Sequence, residues 1–243
     1  MMRASPLRHA LAGCGLLLGL VLASSAGAQQ RPYLLWLDGA HIDVAKIIGL
    51  PPAQNSPEAK AEYEQVLKLT LERTPEREKQ AIADQRQGLV NFLNGIDTKY
   101  VDNTHREVRL LFREAQVELA ILLKSVHRLT SRQRPFSVWN KVRVKPCPGA
   151  RPDGTSFPSA HAATAALYAE LLKTAVPSMA EPLEDRVRSY DESRLICGFH
   201  YQSDLAAGDK VGRAVAKALL ADKAFKARFD ETIPEIKVAL GVK

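Results

Sequence analysis

Three stretches of this chain concentrate side chains able to grip an anion and attack an electrophile: His127 to Pro135 (HRLTSRQRP), Phe157 to His161 (FPSAH) and Ser193 to Asp204 (SRLICGFHYQSD). In the third, His200 and Asp204 are four apart, so on a helix they share a face. A carboxylate there accepts the proton of one imidazole nitrogen, fixing the tautomer and leaving the other nitrogen free to attack. Arg194, six residues earlier, stands at the end of the preceding helix or in the turn and offers two parallel donors to an oxyanion. In the second stretch Ser159 begins a predicted helix, where its hydroxyl and the backbone N–H groups, Ala160's included, make an anion site. His161, within the first turn, is placed to hand a proton to a leaving alkoxide. Arg134 brings a second guanidinium, and His127 lies seven residues before it. Singly, His200 reads as a core or surface histidine, Arg134 as a helix-end cation and Ser159 as an N-cap. Together, two histidines, two arginines, a serine and a helix N-terminus equip a site for phosphoryl transfer without metal. The cationic donors take the equatorial oxygens and one histidine stands on each side of the in-line axis.

Those residues need helices to carry them. Ser56-Pro57-Glu58 and Thr74-Pro75-Glu76 each pair an N-cap with a first-turn proline, predicting helices from there, the second running to about Arg86. A short helix is expected over Leu89 to Leu93. Thr104 with Glu107 is a capping box opening a long helix, in which Val108, Leu111, Ala115, Leu119 and Leu122 recur at helical spacing to near Arg132. Residues 136–157 form a Pro- and Gly-rich loop, and a connection of that length inside a domain is usually functional. Ser159 caps a helix to about Ala175, Ser178 with Glu181 opens another toward Ser193, and 200–221 and 223–240 complete the set. Strand signals are nearly absent. The expectation is one all-α domain, a helical bundle over residues 29–243, with its site built from helix ends and loops.

Residues 1–28 stand apart. Arg3 and Arg8, an apolar run from Leu11 to Leu22 and the small residues Ala26-Gly27-Ala28 form a cleavable signal peptide by pattern, the alternative being an uncleaved anchor. Loss of that leader lowers the net charge from +7 to +5, which suits an anionic substrate. With no basic tract interleaved with aromatics, nucleic acid is not an expected partner. Cys14 leaves with the leader, and Cys147 and Cys197 remain in a chain bound for an oxidising compartment. They form either one disulfide or two buried thiols.

Taken in order, the three segments resemble the superfamily joining type 2 phosphatidic acid phosphatases, bacterial class A nonspecific acid phosphatases and vanadium haloperoxidases. Its motifs are K-x6-R-P, P-S-G-H and S-R-x5-H-x3-D. Ser193, Arg194, His200 and Asp204 complete the third, Pro158, Ser159 and His161 match the second, and Arg134-Pro135 match the first. The ICG-H-QSD setting and the Pro-Pro segment before a helix carrying Glu62-Tyr63-Glu64 look most like the class A acid phosphatases. The resemblance runs from about Arg132 to Gly208. It implies a phosphohistidine on His200, with Asp204 orienting it. His161 serves as acid and then base, and Arg134, Arg194, Ser159 and the backbone at Ala160 hold oxygens. No cofactor is implied, and vanadate or phosphate should inhibit. Two positions depart: His127 replaces the motif's lysine and Ala160 its glycine. His127 donates a charge-assisted bond only when protonated, so an acid-shifted optimum is expected. The expected partners are small phosphorylated substrates met in the periplasm or outside the cell. No stable membrane insertion is expected after leader removal, and homo-oligomerisation stays open. A lipid-phosphate phosphatase of the same superfamily, or a phosphate-binding relative without turnover, are the competing readings.

Overall fold

The computed structural model describes residues 35–37, 42–138, 143–150 and 154–242. The chain divides into Met1–Pro32 and Tyr33–Lys243. The described residues all belong to the second unit, and the signal-peptide expectation for residues 1–28 falls outside them. Among those residues there are nine α-helices and no strand, in line with the all-α expectation. They are α1 (Val44–Ile48), α2 (Pro57–Glu72), α3 (Pro75–Ala83), α4 (Leu89–Leu93), α5 (Arg106–His127), α6 (Ala160–Ala175), α7 (Ala180–Ile196), α8 (Gln202–Ala221) and α9 (Lys223–Ala239).

Caps decide several of these starts. The Ser56 hydroxyl accepts from the Ala59 N–H, Thr74 from Arg77, Ser159 from Ala162 and the Asp222 carboxylate from Phe225, each satisfying one orphan donor of a first turn. Two expected capping boxes do not form. α5 starts after His105, a buried residue whose ring stacks on Tyr100 and whose Nδ1 accepts from the Val101 N–H at 3.0 Å. That tertiary anchor displaces Thr104 from the cap. α7 starts at Ala180 because a 3-10 turn over Pro177–Met179 takes the place of Ser178 as its lead-in. α5 also ends at His127, short of Arg132. The chain then runs outside any helix to Pro135, whose ring disfavours helical geometry in the residue before it, and Arg134 is extended.

α6 is the axle. Ala162 through Ala169, Leu171 and Leu172 are all buried, with α5, α7, α8 and α9 packed around it. Small residues allow the closest of these approaches. A Cβ on Gly212 would lie 2.1 Å from the Ala163 carbonyl oxygen, and one on Gly208 2.3 Å from that of Ser159. The two backbones therefore touch along α6 and α8, which sets their N-termini side by side. The Ser159 N–H donates to the Asp204 carbonyl at 2.9 Å across that junction. Aromatic edges from Phe92, Phe112 and Tyr190 close on Tyr168 and on one another, geometry worth roughly 0.5–1.5 kcal/mol per pair beyond burial.

Cys147 and Cys197 are joined in a disulfide across a sequence separation of 50. It ties the 143–150 segment to the C-terminus of α7. On the chain-entropy argument a closed loop of this length contributes roughly 4 kcal/mol.

Candidate active site

His200 is not on a helix. It sits in the turn between α7 and α8, two residues before Gln202, while Asp204 is the third residue of α8. The pair therefore does not share a helix face. The tertiary geometry brings them close without a direct hydrogen bond: His200 Nδ1 is 3.6 Å from Asp204 Oδ2 but 2.8 Å from the Ser156 carbonyl oxygen. A carbonyl only accepts, so Nδ1 carries the proton and Nε2 keeps its lone pair. That lone pair faces Arg134, whose Nη1 is 3.2 Å away and also donates to the Phe199 carbonyl at 3.0 Å. The tautomer needed for nucleophilic attack is thus held by a backbone oxygen, which the sequence did not reveal.

Asp204 holds the surroundings of His200. Fully buried, its carboxylate accepts from the Ser156 hydroxyl at 2.5 Å, the Tyr201 N–H at 2.8 Å and Arg132 Nη1 at 2.6 Å. Arg132 donates also to Ser203 Oγ and Glu62 Oε2, both at 2.7 Å, and lies 4.0 Å over the Tyr201 ring. Glu62 Oε1 accepts from the Ser203 N–H at 2.6 Å. Asp204 therefore fixes Ser156 from one side while Arg132 and Glu62 fix Asp204 from the other, a chain linking α2, the 131–134 segment and α8.

Arg194 occupies the last turn of α7 and is 1% exposed. Its Nη2 donates to the Ala81 carbonyl at 2.9 Å, whereas its buried Nε has no partner. Burial draws its pKa down to about 10, which leaves it cationic at neutral pH. The wall behind it is built by Asp84 at the end of α3, which accepts from Arg186 and from the Ser193 hydroxyl at 2.7 Å. Ser193, the first residue of the third motif, thus anchors α7 to α3.

His161 lies in the first turn of α6. Its Nε2 donates to the Gln85 carbonyl at 3.0 Å and its Nδ1 accepts from Gln87 Nε2 at 3.3 Å, so in this state it is neutral. Desolvation, with the Arg194, His200 and Arg134 charges adding to it against the Gln85 carbonyl, pushes its pKa down to about 3. Desolvation likewise lowers that of His200, with Asp204 opposing and Arg134 and Arg194 assisting. Both histidines thus lose proton affinity first through burial, and the two guanidinium groups add to it.

His161, His200, Arg134 and Arg194 line one cavity of about 370 Å³, with Gln85 and Phe199 in its walls. The other expected anion ligands do not line it. His127 Nε2 donates to the Pro158 carbonyl at 2.9 Å and braces the loop behind the helix end. It is turned to that carbonyl and does not line the cavity where the motif's lysine was expected to act. The Ser159 hydroxyl is wholly buried and committed as the cap of Ala162. Ala160 offers only the orphan N–H of a first-turn residue. Among the described residues, no three His, Cys, Asp or Glu side chains converge as a metal site. Ser156, Arg132, Glu62, Gln85 and Gln87 were missed by sequence reasoning. Arg132 was the findable one, a third cation two residues before Arg134 in the same short segment.

No family model matches the chain. It is similar to a non-specific acid phosphatase of Salmonella typhi, 40% identical over 90 residues that make up 36% of this chain and 36% of that protein. Its counterpart in Salmonella typhimurium is 39% identical over 90 residues with the same shares. The chain thus spans about a third of the length of the curated relatives it matches. Among solved structures it resembles the first transmembrane PAP2 type phosphatidylglycerolphosphate phosphatase from Bacillus subtilis. The TM-score is 0.50 at 18% identity, over 78% of this chain and 93% of that one. At that identity the fold is what the two share.

Proposed function

We propose that this chain, which has the fold of a PAP2-type phosphatase and a 90-residue likeness to non-specific acid phosphatases, hydrolyses phosphate monoesters through a phosphohistidine at His200, without metal. The observation that carries the reading is the unpartnered buried Nε of Arg194, in the wall that also holds His200 and His161. A buried donor left unmade costs about 1–3 kcal/mol, and a phosphoryl oxygen would satisfy it.

The substrate phosphoryl group sits between Arg134 and Arg194, with the N–H groups of the first turn of α6 completing its cradle. His200 Nε2 attacks phosphorus, the P–N bond forms, and the ester P–O bond breaks. The leaving oxygen takes the proton of the His161 imidazolium. Neutral His161 then takes a proton from water, whose oxygen attacks phosphorus. The P–N bond breaks and phosphate leaves. Because burial and cationic neighbours hold the His161 pKa low, the acid half of this cycle favours low pH and a bound dianion. The acidic optimum therefore rests on His161. A leader-like N-terminus and the Cys147–Cys197 disulfide support action outside the cytoplasm. Vanadate and phosphate, filling the same cradle, should inhibit.

The test is turnover of p-nitrophenyl phosphate with chelator present. Activity should persist in chelator, peak below pH 7 and fall by about 10⁴-fold or more in His200→Ala, the scale set by loss of a covalent nucleophile. Absence of turnover between pH 4 and 8, or a variant as fast as the parent, would refute the proposal. Tight vanadate binding without turnover would instead mark a phosphate-binding protein.

A further inference from the structure

His161 is the end of a hydrogen-bond chain that the proposed reaction does not use. Tyr168 Oη donates to Gln116 Oε1 at 2.9 Å, Gln116 Nε2 donates to Gln87 Oε1 at 3.1 Å, and Gln87 Nε2 donates to His161 Nδ1 at 3.3 Å. The chain joins α6 to α5 and to the α3–α4 connection, and it ends in the core, where Tyr168 is 1% exposed. Each glutamine carries one donor end and one acceptor end, so turning both amides over yields a second chain running the opposite way. In that state His161 Nδ1 donates to Gln87 Oε1, Gln87 donates to Gln116, and Gln116 donates to the Tyr168 hydroxyl. The first arrangement fits neutral imidazole and the second fits imidazolium.

Among the described residues, no other neighbour offers that service. From α7, Arg194 and the Tyr190 ring face His161. From the turn before α8 comes His200, and from the 131–134 segment Arg134. The three cationic or cationisable groups among them resist a second proton, while the Gln85 carbonyl is committed to Nε2. On Nδ1, Gln87 is the group the fold supplies.

We propose that Gln87, backed by Gln116 and Tyr168, is the positioning residue that sets the proton state of His161. Its amide presents nitrogen to the neutral ring and oxygen to the charged one. The role deepens the phosphatase reading and rests on it, because Nε2 stays on the Gln85 carbonyl and the Nδ1 proton that Gln87 holds on the imidazolium is the one the leaving oxygen takes, the amide turning back as it goes. Gln87 itself is exposed, so substitutions there leave the core intact.

The experiment compares wild type with Gln87→Glu and Gln87→Leu in two readouts. The first is an NMR titration of the His161 ring in the ligand-free protein from pH 8 to 3. The second is the pH profile of kcat/KM on p-nitrophenyl phosphate. A fixed carboxylate beside Nδ1 should raise the His161 midpoint by about one unit or more and move the His161-dependent limb of the profile the same way. Leucine should leave the ring neutral to the end of the titration and reduce kcat about tenfold with little change in KM. Tyr168→Phe, which keeps the ring in the core, should shift the midpoint less than either. A midpoint equal in wild type and both Gln87 variants overturns the proposal and leaves Gln87 as a brace for the α3–α4 turn. The titration needs no turnover, so it decides the role of Gln87 even if the wild-type protein hydrolyses nothing and the phosphatase reading falls.

Discussion

Replacing Arg132 by methionine should damage this protein more than removing any guanidinium that touches the cavity. Methionine fills similar volume and keeps contact with the Tyr201 ring, but three hydrogen bonds vanish: to Asp204 at 2.6 Å and to Ser203 and Glu62 at 2.7 Å. Asp204 is fully buried, and the side chains of Arg132 and Glu62 are only 10% and 14% exposed. The cluster therefore behaves as a buried ion pair, and stripping the cation from it costs about 3–5 kcal/mol. For a domain of this size that lowers Tm by roughly 6–20 °C. Two carboxylates previously bridged by one guanidinium now face each other, so Glu62→Gln should relieve part of the loss. The double variant should be about 1–3 kcal/mol more stable than the sum of the single effects. Urea denaturation with an unchanged m-value measures all four corners of the cycle. Because Asp204 holds Ser156, and Ser156 holds the Nδ1 proton of His200, kcat should fall in the same variant. A stability loss under about 1 kcal/mol, or strict additivity with Glu62→Gln, refutes the clamp.

The contact of α6 with α8 makes a second prediction. Gly212→Ala puts a methyl 2.1 Å from the Ala163 carbonyl and 2.9 Å from the Leu167 nitrogen, backbone atoms that cannot step aside. A loss of about 1–3 kcal/mol is expected, read by urea denaturation, and a neutral variant would mean that the two helices slide freely. A third concerns protons. An anion roughly 5 Å from His161 contributes about 3 kcal/mol per unit charge at an effective dielectric near 20, or about two pH units for each charge, lifting its midpoint from about 3 toward 5 for a monoanion and higher for a dianion. Sulfate stays dianionic in this range, so calorimetry near pH 4.5 in buffers of different ionisation enthalpy should show proton uptake on binding. His161→Asn should abolish that uptake, and uptake of equal size in the variant would exclude His161 as its source.

Much of this was present in the linear chain. Proline after Ser56 and Thr74, and the small-residue start at Ser159, specify helix beginnings by local hydrogen bonding, and local physics is what a sequence states directly. His161, His200, Arg134 and Arg194 were identifiable because their residue types have few other combined uses, and the structure lines one cavity with them. What the sequence left open depends on backbone atoms and distant neighbours. It pointed to Asp204 as the acceptor for His200, whereas the fold supplies the Ser156 carbonyl, and every residue has a carbonyl. It placed His127 and the Ser159 hydroxyl on the anion, but the first is committed to Pro158 and the second to Ala162, each a nearer partner. The capping boxes at Thr104 and Ser178 yielded to the buried His105 and to a 3-10 turn. Only the tertiary structure, by letting α8 rest on the glycine-cleared backbone of α6, decided which polar groups stand beside one another and therefore which histidine can hold which proton.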